Sequence, residues 1–274
     1  MPDTDARTCR FYCVPSSMSF ELPQCALAAA EREQAMILQS RTPYDVFAHR
    51  TLPGTAPLNP DEWLLCDEVY AAQMQRRVCL INERPQDVLA VDESARPAAE
   101  ELLDEALMAL PEPFKQCDKR VLCPDGRQVN IDRTDPMRTL GLILQEDLCL
   151  MQKRDEEHVL TAAVLCFPAS WQLSEKFRRP LIGIHDPVPD YGPDLAKRVQ
   201  RLFNGIRVGR PLWRFNALRY ADPELFQPRS ESNPRPLNDP GGHPYLRSER
   251  QCLLRLPKTQ AVVFSIHTYV LRPD

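Results

Sequence analysis

Residues 147–167 read DLCLMQKRDEEHVLTAAVLCF, and this stretch decides the class of fold that we expect. Two largely apolar runs, residues 147–152 and 159–167, stand on either side of the polar segment 153–157. Extended apolar runs separated by a short polar turn are typical of two antiparallel strands joined as a hairpin. The stretch therefore predicts a β-hairpin in the middle of the chain.

Other strand signals lie on both sides of this hairpin. Upstream, a Pro-Asp-Gly turn signature at 124–126 separates residues 120–123 from residues 128–132, which predicts a second hairpin. Downstream, we expect residues 211–220 to be extended, and residues 261–271 alternate in the manner of a strand.

Helical patterns occur between these strands. Residues 59–82 begin with Asn-Pro-Asp, which places a proline in the first turn of a helix. Residues 97–110 carry an apolar stripe at helical spacing, and residues 193–204 form a predicted helix that ends at Gly205. Residues 245–256 also have a helical pattern. Helices mixed with antiparallel hairpins indicate an α+β fold.

The composition is that of a globular protein, with 43% hydrophobic and 26% charged residues, but the chain contains 27 prolines. Proline interrupts helices and central strands, so we expect short elements joined by long loops. We expect residues 1–55 to be an irregular N-terminal extension and residues 56–274 to form the folded domain.

The sequence also limits location and chemistry. No run approaches the roughly 20 apolar residues that span a bilayer, and the start MPDTDARTCRFYC lacks the apolar core of a signal peptide. We therefore expect a cytoplasmic protein with no membrane partner, whose ten cysteines are free thiols. The sequence contains no CxxC, HExxH, GxGxxG, GxxxxGK or GxSxG motif, and so offers no evidence for zinc, nucleotide or serine-hydrolase chemistry.

Charge is divided unevenly along the chain. Residues 1–175 carry 17 basic and 29 acidic side chains, whereas residues 176–274 carry 17 basic and 9 acidic ones, a net of +8. Fourteen of those 17 are arginines, whose planar guanidinium suits carboxylates and phosphates. A solvated basic face, an anionic cofactor and an acidic partner protein all stay open. Nucleic acid is not expected, because no binding motif accompanies the charge.

Five histidines are candidates for metal or cofactor chemistry. We expect His49 and His158 at the surface, His243 in a Gly-Gly-His-Pro loop, and His267 in the last strand. His185 differs, because Leu-Ile-Gly-Ile precedes it and the rigid Asp-Pro-Val-Pro follows it. Such a histidine is either a satisfied core residue or a fixed imidazole of the kind that axial haem ligation requires.

Two further pairs of polar residues are candidates for a binding site. Arg214 and Asn216 are two residues apart in an extended stretch, so they project from one face of a strand. The alternative to a binding role is that both residues lie on an exposed strand edge. Arg247 and Gln251 share a face of the helix predicted for residues 245–256, where the alternative is solvated helix charge.

Six segments resemble, in the same order, the haem-dependent oxidative N-demethylase alpha-subunit family. They are LNPDEWLLCDEVY (58–70), LQEDLCL (144–150), LCFPASW (165–171), PLIGIHDPVPDY (180–191), GRPLWRFNALRYADPELFQP (209–228) and YLRSERQCLLRLPKTQAVVFSIHTY (245–269). Each segment is short, but their common order makes the resemblance specific across roughly residues 55–271.

The resemblance implies a PAS-like α+β fold, an antiparallel sheet with flanking helices, that holds haem b. It implies a monooxygenase that uses dioxygen and electrons from a reductase or ferredoxin-type partner subunit. This enzyme removes a methyl group from a small, dimethylamine-like secondary amine and releases formaldehyde. The histidine of the IHxPVPxY stretch is His185, which the resemblance makes the axial iron ligand.

A haem and a cationic amine each need partners of suitable polarity. Haem propionates need cations, and the candidates are Arg214, Arg219 and Arg247, with Asn216 as a further cofactor-binding residue. The ammonium group of an amine needs a carboxylate, and the candidate catalytic residues are Glu249 and Asp222.

Two other classes of function stay open. A haem- or ligand-binding PAS-like sensor would bind haem without amine-dependent consumption of reductant. A cofactor-free interaction domain would show no haem absorption band.

Overall fold

A computed structural model gives the fold of residues 36–48, 54–185, 193–233 and 243–272, without the side chains at 185, 193, 194 and 196. The helices of these residues are α1 (Tyr70–Glu83), α2 (Pro85–Val88), α3 (Arg96–Met108), α4 (Pro136–Ile143), α5 (Leu173–Lys176), α6 (Leu181–His185) and α7 (Pro193–Gly205). The strands are β1 (Ala56–Pro57), β2 (Leu89–Val91), β3 (Lys115–Cys117), β4 (Arg120–Leu122), β5 (Gln128–Asn130), β6 (Asp147–Arg154), β7 (Glu157–Val164), β8 (Leu212–Tyr220), β9 (Tyr245–Arg255) and β10 (Val262–Leu271). Short 3-10 turns occupy Pro60–Glu62 and Glu93–Ala95.

A seven-stranded sheet in the order β1-β8-β9-β10-β6-β7-β2 is the largest unit of the described structure. A second sheet has the order β3-β4-β5. Neighbouring strands in both sheets run antiparallel. The predicted α+β class, an antiparallel sheet with flanking helices, is therefore confirmed.

The hairpins predicted from turn chemistry are present. Strands β6 and β7 pair from Arg154↔Glu157 onward, and Asp155 takes a φ of 53° in the turn between them. Aspartate tolerates this left-handed conformation better than most residues. Strands β4 and β5 form the second hairpin. The strands predicted at 211–220 and 261–271 and the helices predicted at 97–110 and 193–204 are likewise confirmed.

The large sheet buries both of its faces. The first, which we call the α1 face, packs Leu148 and Val263 into one core with residues of α1, α3 and α4. The second, the α7 face, packs Cys149 and Leu253 into another core with residues of α5, α6 and α7. Side chains alternate between the faces along each strand, so neighbours such as Val262 and Val263 belong to different cores.

A buried ion pair joins α1 to the sheet. The Nη1 atom of Arg77 lies 2.6 Å from Oδ1 of Asp147, and both side chains are almost completely buried. Asp147 also accepts hydrogen bonds from the backbone N–H groups of Cys166 and Phe167, at 2.7 and 2.9 Å. Arg77 also donates to the carbonyl of Glu146 at 2.8 Å. Both buried charges therefore have several partners, which a buried ion pair requires.

The helix predicted for residues 245–256 is wrong, because Tyr245–Arg255 form β9, an interior strand of the large sheet. Strand β9 pairs with β8 over Leu212↔Leu253 to Tyr220↔Tyr245, and with β10 on its other edge. Pairing on both edges satisfies the backbone and overrides the local preference of polar residues for a helix. Arg247 and Gln251 still share a face, but with the period of a strand.

The helix predicted for residues 59–82 is divided in two. The 3-10 turn ends at Glu62, and α1 begins only at Tyr70. Between them, side-chain oxygens of Glu146 and Gln145 accept hydrogen bonds from the backbone N–H groups of Leu65 and Asp67, at 2.8 and 3.0 Å. These distant side chains stabilise a non-helical backbone in a stretch with helical spacing.

Residues 36–48, which precede the predicted domain start, contact the sheet. The backbone N–H of Gln39 donates to the carbonyl of Val270 at 2.9 Å, and the hydroxyl of Tyr44 lies 2.9 Å from Oγ of Ser248. The boundary at residue 55 stays a prediction.

Replacing Arg77 tests the buried ion pair. Arg77→Met keeps much of the apolar stem but leaves Asp147 buried without its cation, so we expect a loss of about 3–5 kcal/mol in the free energy of unfolding. The measurement is urea denaturation followed by circular dichroism. The control is Arg76→Met, which removes a partly exposed pair with Glu224 and is expected to lower stability by less than about 1 kcal/mol. Equal losses of unfolding free energy in the two variants would show that the buried pair of Arg77 and Asp147 contributes no more than the partly exposed pair.

Candidate functional site

Four polar side chains meet on the α7 face, and we call them the polar patch: Arg214, Asn216, Glu249 and Gln251. Strands β8 and β9 place Arg214 opposite Gln251 and Asn216 opposite Glu249. The side-chain amides of Asn216 and Gln251 both donate to Oε2 of Glu249, each at 2.9 Å. The backbone N–H of Glu249 donates to Oδ1 of Asn216 at 3.1 Å. Two rigid strands therefore hold one carboxylate in a fixed orientation.

Glu249 is a buried carboxylate held by neutral groups. It is 6% exposed, and in the part of the chain that the structure describes no Lys, Arg or His lies within ion-pairing distance of it. Burial of a carboxylate without a paired cation is unfavourable unless a cation is supplied. The patch is therefore suited to a small cationic group that arrives from outside.

Arg214 is the cation of the patch and is half-buried. Burial lowers the pKa of its guanidinium, and the nearby charge of Glu249 opposes that shift. Among the described residues, no carboxylate pairs with Arg214 and no acceptor binds its guanidinium. Beside Glu249, the buried Oγ1 atom of Thr268 also has no hydrogen-bond partner within the described ranges. Arg214 is thus suited to an anionic group.

Apolar residues adjoin the patch along the same strands. The next register pair is Leu212↔Leu253, and both residues belong to the α7-face core. Leu181 and Ile184 of α6 pack into this core, although Ile182 between them is 44% exposed. Helix α6 therefore brings the chain to the face that carries the patch.

The backbone at the end of α6 is fixed by neighbouring residues. The carbonyl of Ile184 accepts a hydrogen bond from Nζ of Lys176 at 2.6 Å, and the same ammonium binds Glu231 at 2.6 Å. His185 is the last residue of α6, and its side chain lies outside the described residues, as do residues 186–192. The structure thus places the backbone of His185 but leaves its role as an iron ligand a prediction.

The other residues predicted for the site lie elsewhere. Arg219 is exposed on the opposite side of β8 and donates to the carbonyl of His243 at 3.5 Å. Arg247 is buried and donates to the carbonyls of Leu225 and Phe167, at 3.0 and 2.7 Å. Asp222 is exposed beyond the end of β8, and its side chain accepts from the backbone N–H of Glu224. The structure therefore groups Arg214 and Asn216 with Glu249, but not with these three residues.

An aromatic cluster occupies the α1 face directly behind the patch. Tyr44 stacks on Phe215 with ring centroids 4.7 Å apart, and it also contacts Trp213 and Tyr269. Arg250 lies over Trp213 and donates to the carbonyl of Glu62 at 2.7 Å. This packing fixes β8 and β9 from behind and so supports the geometry of the patch.

Sequence reasoning missed a charged group around His267. Its Nδ1 atom lies 3.0 Å from Glu146 and its Nε2 atom lies 3.1 Å from Asp67. Burial disfavours the imidazolium, but the hydrogen bonds to Asp67 and Glu146 outweigh burial and raise the pKa of His267 to about 9. The only sequence signal is the predicted position of His267 in the last strand, because both partners are distant in sequence. The imidazolium joins two loops to β10.

His158 was expected at the surface, and this expectation is wrong. It is 1% exposed, because α7 covers the hairpin of β6 and β7. Its Nδ1 atom lies 2.9 Å from the side-chain amide of Gln200, and its ring contacts Phe203. Burial, with the charge of Arg255, lowers the pKa of His158 to about 4. This histidine is a neutral core residue.

The fold and the patch together define an α+β domain with a fixed carboxylate and an unpaired guanidinium next to an apolar core, as ligand- and cofactor-binding sites have. Residues 54–273 match a family model described as haem-dependent oxidative N-demethylase, alpha subunit-like. The chain belongs to this family. The description joins haem dependence to oxidative demethylation and to a subunit of a larger system. No helix among the described residues is both long and apolar enough to cross a bilayer.

The charge of His267 predicts a specific dependence of stability on pH. Because its folded-state pKa of about 9 exceeds the ordinary 6.5, its ion pairs stabilise the fold fully below pH 6.5 and this contribution is lost as the pH rises through about 9. We therefore expect the stability advantage of wild type over His267→Gln to shrink by about 2–3 kcal/mol from about pH 6 to about pH 9.5. Urea denaturation at both pH values measures this difference, and an advantage independent of pH would show that His267 is neutral.

Proposed function

We propose that the chain binds haem b on the α7 face and catalyses oxidative N-demethylation of a small secondary amine. The observation that carries the proposal is the polar patch, which places an unpaired guanidinium and a fixed carboxylate beside the core on which the helix of His185 packs. Membership of a family described as haem-dependent supports the identity of the cofactor.

The chemistry of the described residues fits a haem. A haem presents a large apolar surface and two carboxylates, and the α7 face offers an apolar core next to Arg214. We assign Arg214 to the propionate side, and Asn216 stays a predicted cofactor residue, although both polar atoms of its side chain already bind Glu249. Arg219 and Arg247 stay predicted cofactor residues, although Arg247 is already committed to backbone carbonyls.

We assign His185 as the residue that would hold the iron of a bound haem. A residue that would hold the iron has to be kept in one orientation, and the residue before His185 is fixed by Lys176 through the carbonyl of Ile184. The prolines at 187 and 189 restrict the backbone that follows. The fixed carbonyl of Ile184 and the nearby prolines support this assignment.

We assign Glu249 to the substrate. A secondary amine is an ammonium ion at neutral pH, and a buried carboxylate without a paired cation can bind its N–H groups. The amides of Asn216 and Gln251 hold Oε2 of Glu249, so the carboxylate orients the ammonium and thereby its methyl group. Asp222 stays a second candidate, but it is exposed and caps a turn.

The overall reaction balances with an external electron donor. Bound haem supplies dioxygen binding and activation. Dimethylamine, dioxygen, two electrons and two protons give methylamine, formaldehyde and water. The electrons have to come from a partner, for which we propose a reductase or ferredoxin-type subunit in line with the alpha-subunit description. Glu249 keeps the amine in place while the carbon–nitrogen bond breaks.

Absorption spectroscopy of the full chain with haem tests the cofactor and its ligand. We expect wild type to bind one haem with a Soret band, and His185→Ala to bind it more weakly with an altered band, because the axial bond is lost. The control His243→Ala removes a histidine in a separate loop and should keep the wild-type spectrum. A His185→Ala spectrum identical to wild type would assign the ligand elsewhere, and no specific band in wild type would reject haem binding.

The role of Glu249 is tested by an isosteric change. Loss of a charge-assisted hydrogen bond is worth roughly 1.5–3 kcal/mol, so Glu249→Gln should lower kcat/KM for dimethylamine by about 10- to 100-fold. The measurement is formaldehyde release with chemically reduced protein and dioxygen. Asp222→Asn is the control and should change kcat/KM by less than about twofold, since exposed charges contribute little. Reversed effects would assign the amine to Asp222, and no amine-dependent turnover in wild type would favour a haem-binding sensor.

A further inference from the structure

Helix α7 and the turn that follows it form a strongly basic stretch. Between Leu195 and Ala221 the sequence contains no Asp or Glu. The basic residues in this interval are Lys197, Arg198, Arg201, Arg207, Arg210, Arg214 and Arg219. Arg214 belongs to the polar patch, and Arg219 lies near the end of β8, so the first five form a separate group.

These five side chains are exposed, and we call them the basic surface: Lys197, Arg198, Arg201, Arg207 and Arg210. Within the described residues, all of them except Arg198 lack a carboxylate partner at ion-pairing distance. Elsewhere on the described surface, arginines such as Arg84, Arg133 and Arg178 do pair with aspartates. The four cations other than Arg198 therefore create a field that attracts an acidic partner.

A groove adjoins the basic surface at the end of α7. It has a volume of about 660 Å³ and is lined by Lys153, Asn204, Arg207 and Val208 among others. Val208 is an exposed apolar side chain, 45% accessible, with basic residues on both sides of it. An apolar centre with a charged rim is the usual arrangement of a protein–protein interface.

The basic surface is rigidly connected to the α7-face core. Phe203 and Ile206 of the same segment are buried in that core together with Leu181 of α6. The guanidinium of Arg255 donates to the carbonyls of Phe203 and Ile206, at 2.7 and 2.6 Å, and so fixes the end of α7. Lys197, Arg198 and Arg201 lie on α7, whose Phe203 is buried in that core, so one helix diameter, roughly 10 Å, separates these three residues from the core beside the proposed haem.

We propose that the basic surface is the docking site for an acidic electron-donor protein of the ferredoxin class. This inference rests on the proposed function, because a donor is needed only if the chain holds a redox cofactor. Its position favours a redox partner over nucleic acid, since three of its five residues lie on α7, the helix that packs on the core beside the proposed cofactor. Charge steering would accelerate encounter, and the short path through α7 would carry the electron.

A matched pair of charge-reversal variants tests the docking site. The first, Lys197→Glu/Arg201→Glu/Arg207→Glu, reverses three cations of the basic surface. The second, Lys115→Glu/Lys119→Glu/Arg120→Glu, reverses three exposed cations on the small sheet and changes the net charge equally. Calorimetry measures binding of an acidic plant-type [2Fe–2S] ferredoxin to each full-length protein. Stopped-flow absorption measures reduction of the haem-loaded proteins by reduced ferredoxin and by reduced methyl viologen.

We expect the first variant to bind ferredoxin at least about tenfold more weakly and to be reduced by it correspondingly more slowly, because rim charges set association rates. The second variant should stay within about twofold of wild type, and added salt should weaken wild-type binding, since exposed charges are screened. Reduction by methyl viologen should be the same in all three proteins, because a small donor does not need the docking surface.

Equal ferredoxin affinity in both variants, or no ferredoxin binding by wild type, would overturn the docking site. Tighter binding of duplex DNA than of ferredoxin, lost in the first variant, would also overturn it. These outcomes can be distinguished from a failure of the proposed function. Absence of a haem spectrum would reject the haem proposal while the calorimetric comparison still decides whether an acidic ferredoxin binds. Normal haem reduction by methyl viologen with equal ferredoxin affinities would reject the docking site alone.

Discussion

Burial of five consecutive polar residues in a central strand is the constraint on which the rest of this structure depends. Residues 247–251, with the sequence Arg-Ser-Glu-Arg-Gln, lie in β9 between β8 and β10, and each is buried. Buried polar groups are tolerated only when they have partners. The fold supplies these partners from other parts of the chain, so the requirements of one strand fix the positions of several loops.

Alternation along β9 divides these requirements between the two faces of the sheet. On the α1 face, Ser248 donates to the carbonyl of Asn216 and Arg250 binds the carbonyl of Glu62, so both have structural roles. On the α7 face, Arg247 holds the backbone at Phe167, whereas Glu249 is bound only by two neutral amides. The carboxylate of Glu249, which has no paired cation among the described residues, therefore lies on the face of the sheet that carries α6.

Local signals predicted much of the fold. The hairpins of β6–β7 and β4–β5 follow from turn residues and apolar runs next to each other in sequence. Helix α3 follows from an apolar stripe, and α7 from a helical pattern that ends at Gly205. The helix predicted for β9 is wrong because the polar residues of this strand have no strand pattern of their own. Its conformation depends on β8 and β10, and the same is true of the division of residues 59–82 by Glu146 and Gln145.

The hairpin at residues 147–167 and the ordered family segments determined the α+β class and the family from the sequence alone. The placement of Arg214 and Asn216 on one face was also predicted, because strand periodicity is a local property. Only the tertiary structure decided that Glu249 joins them, that Arg247 and Asp222 do not, and that His267 binds two carboxylates. These outcomes depend on strand register and on contacts between residues far apart in the chain, which spacing along the sequence does not encode.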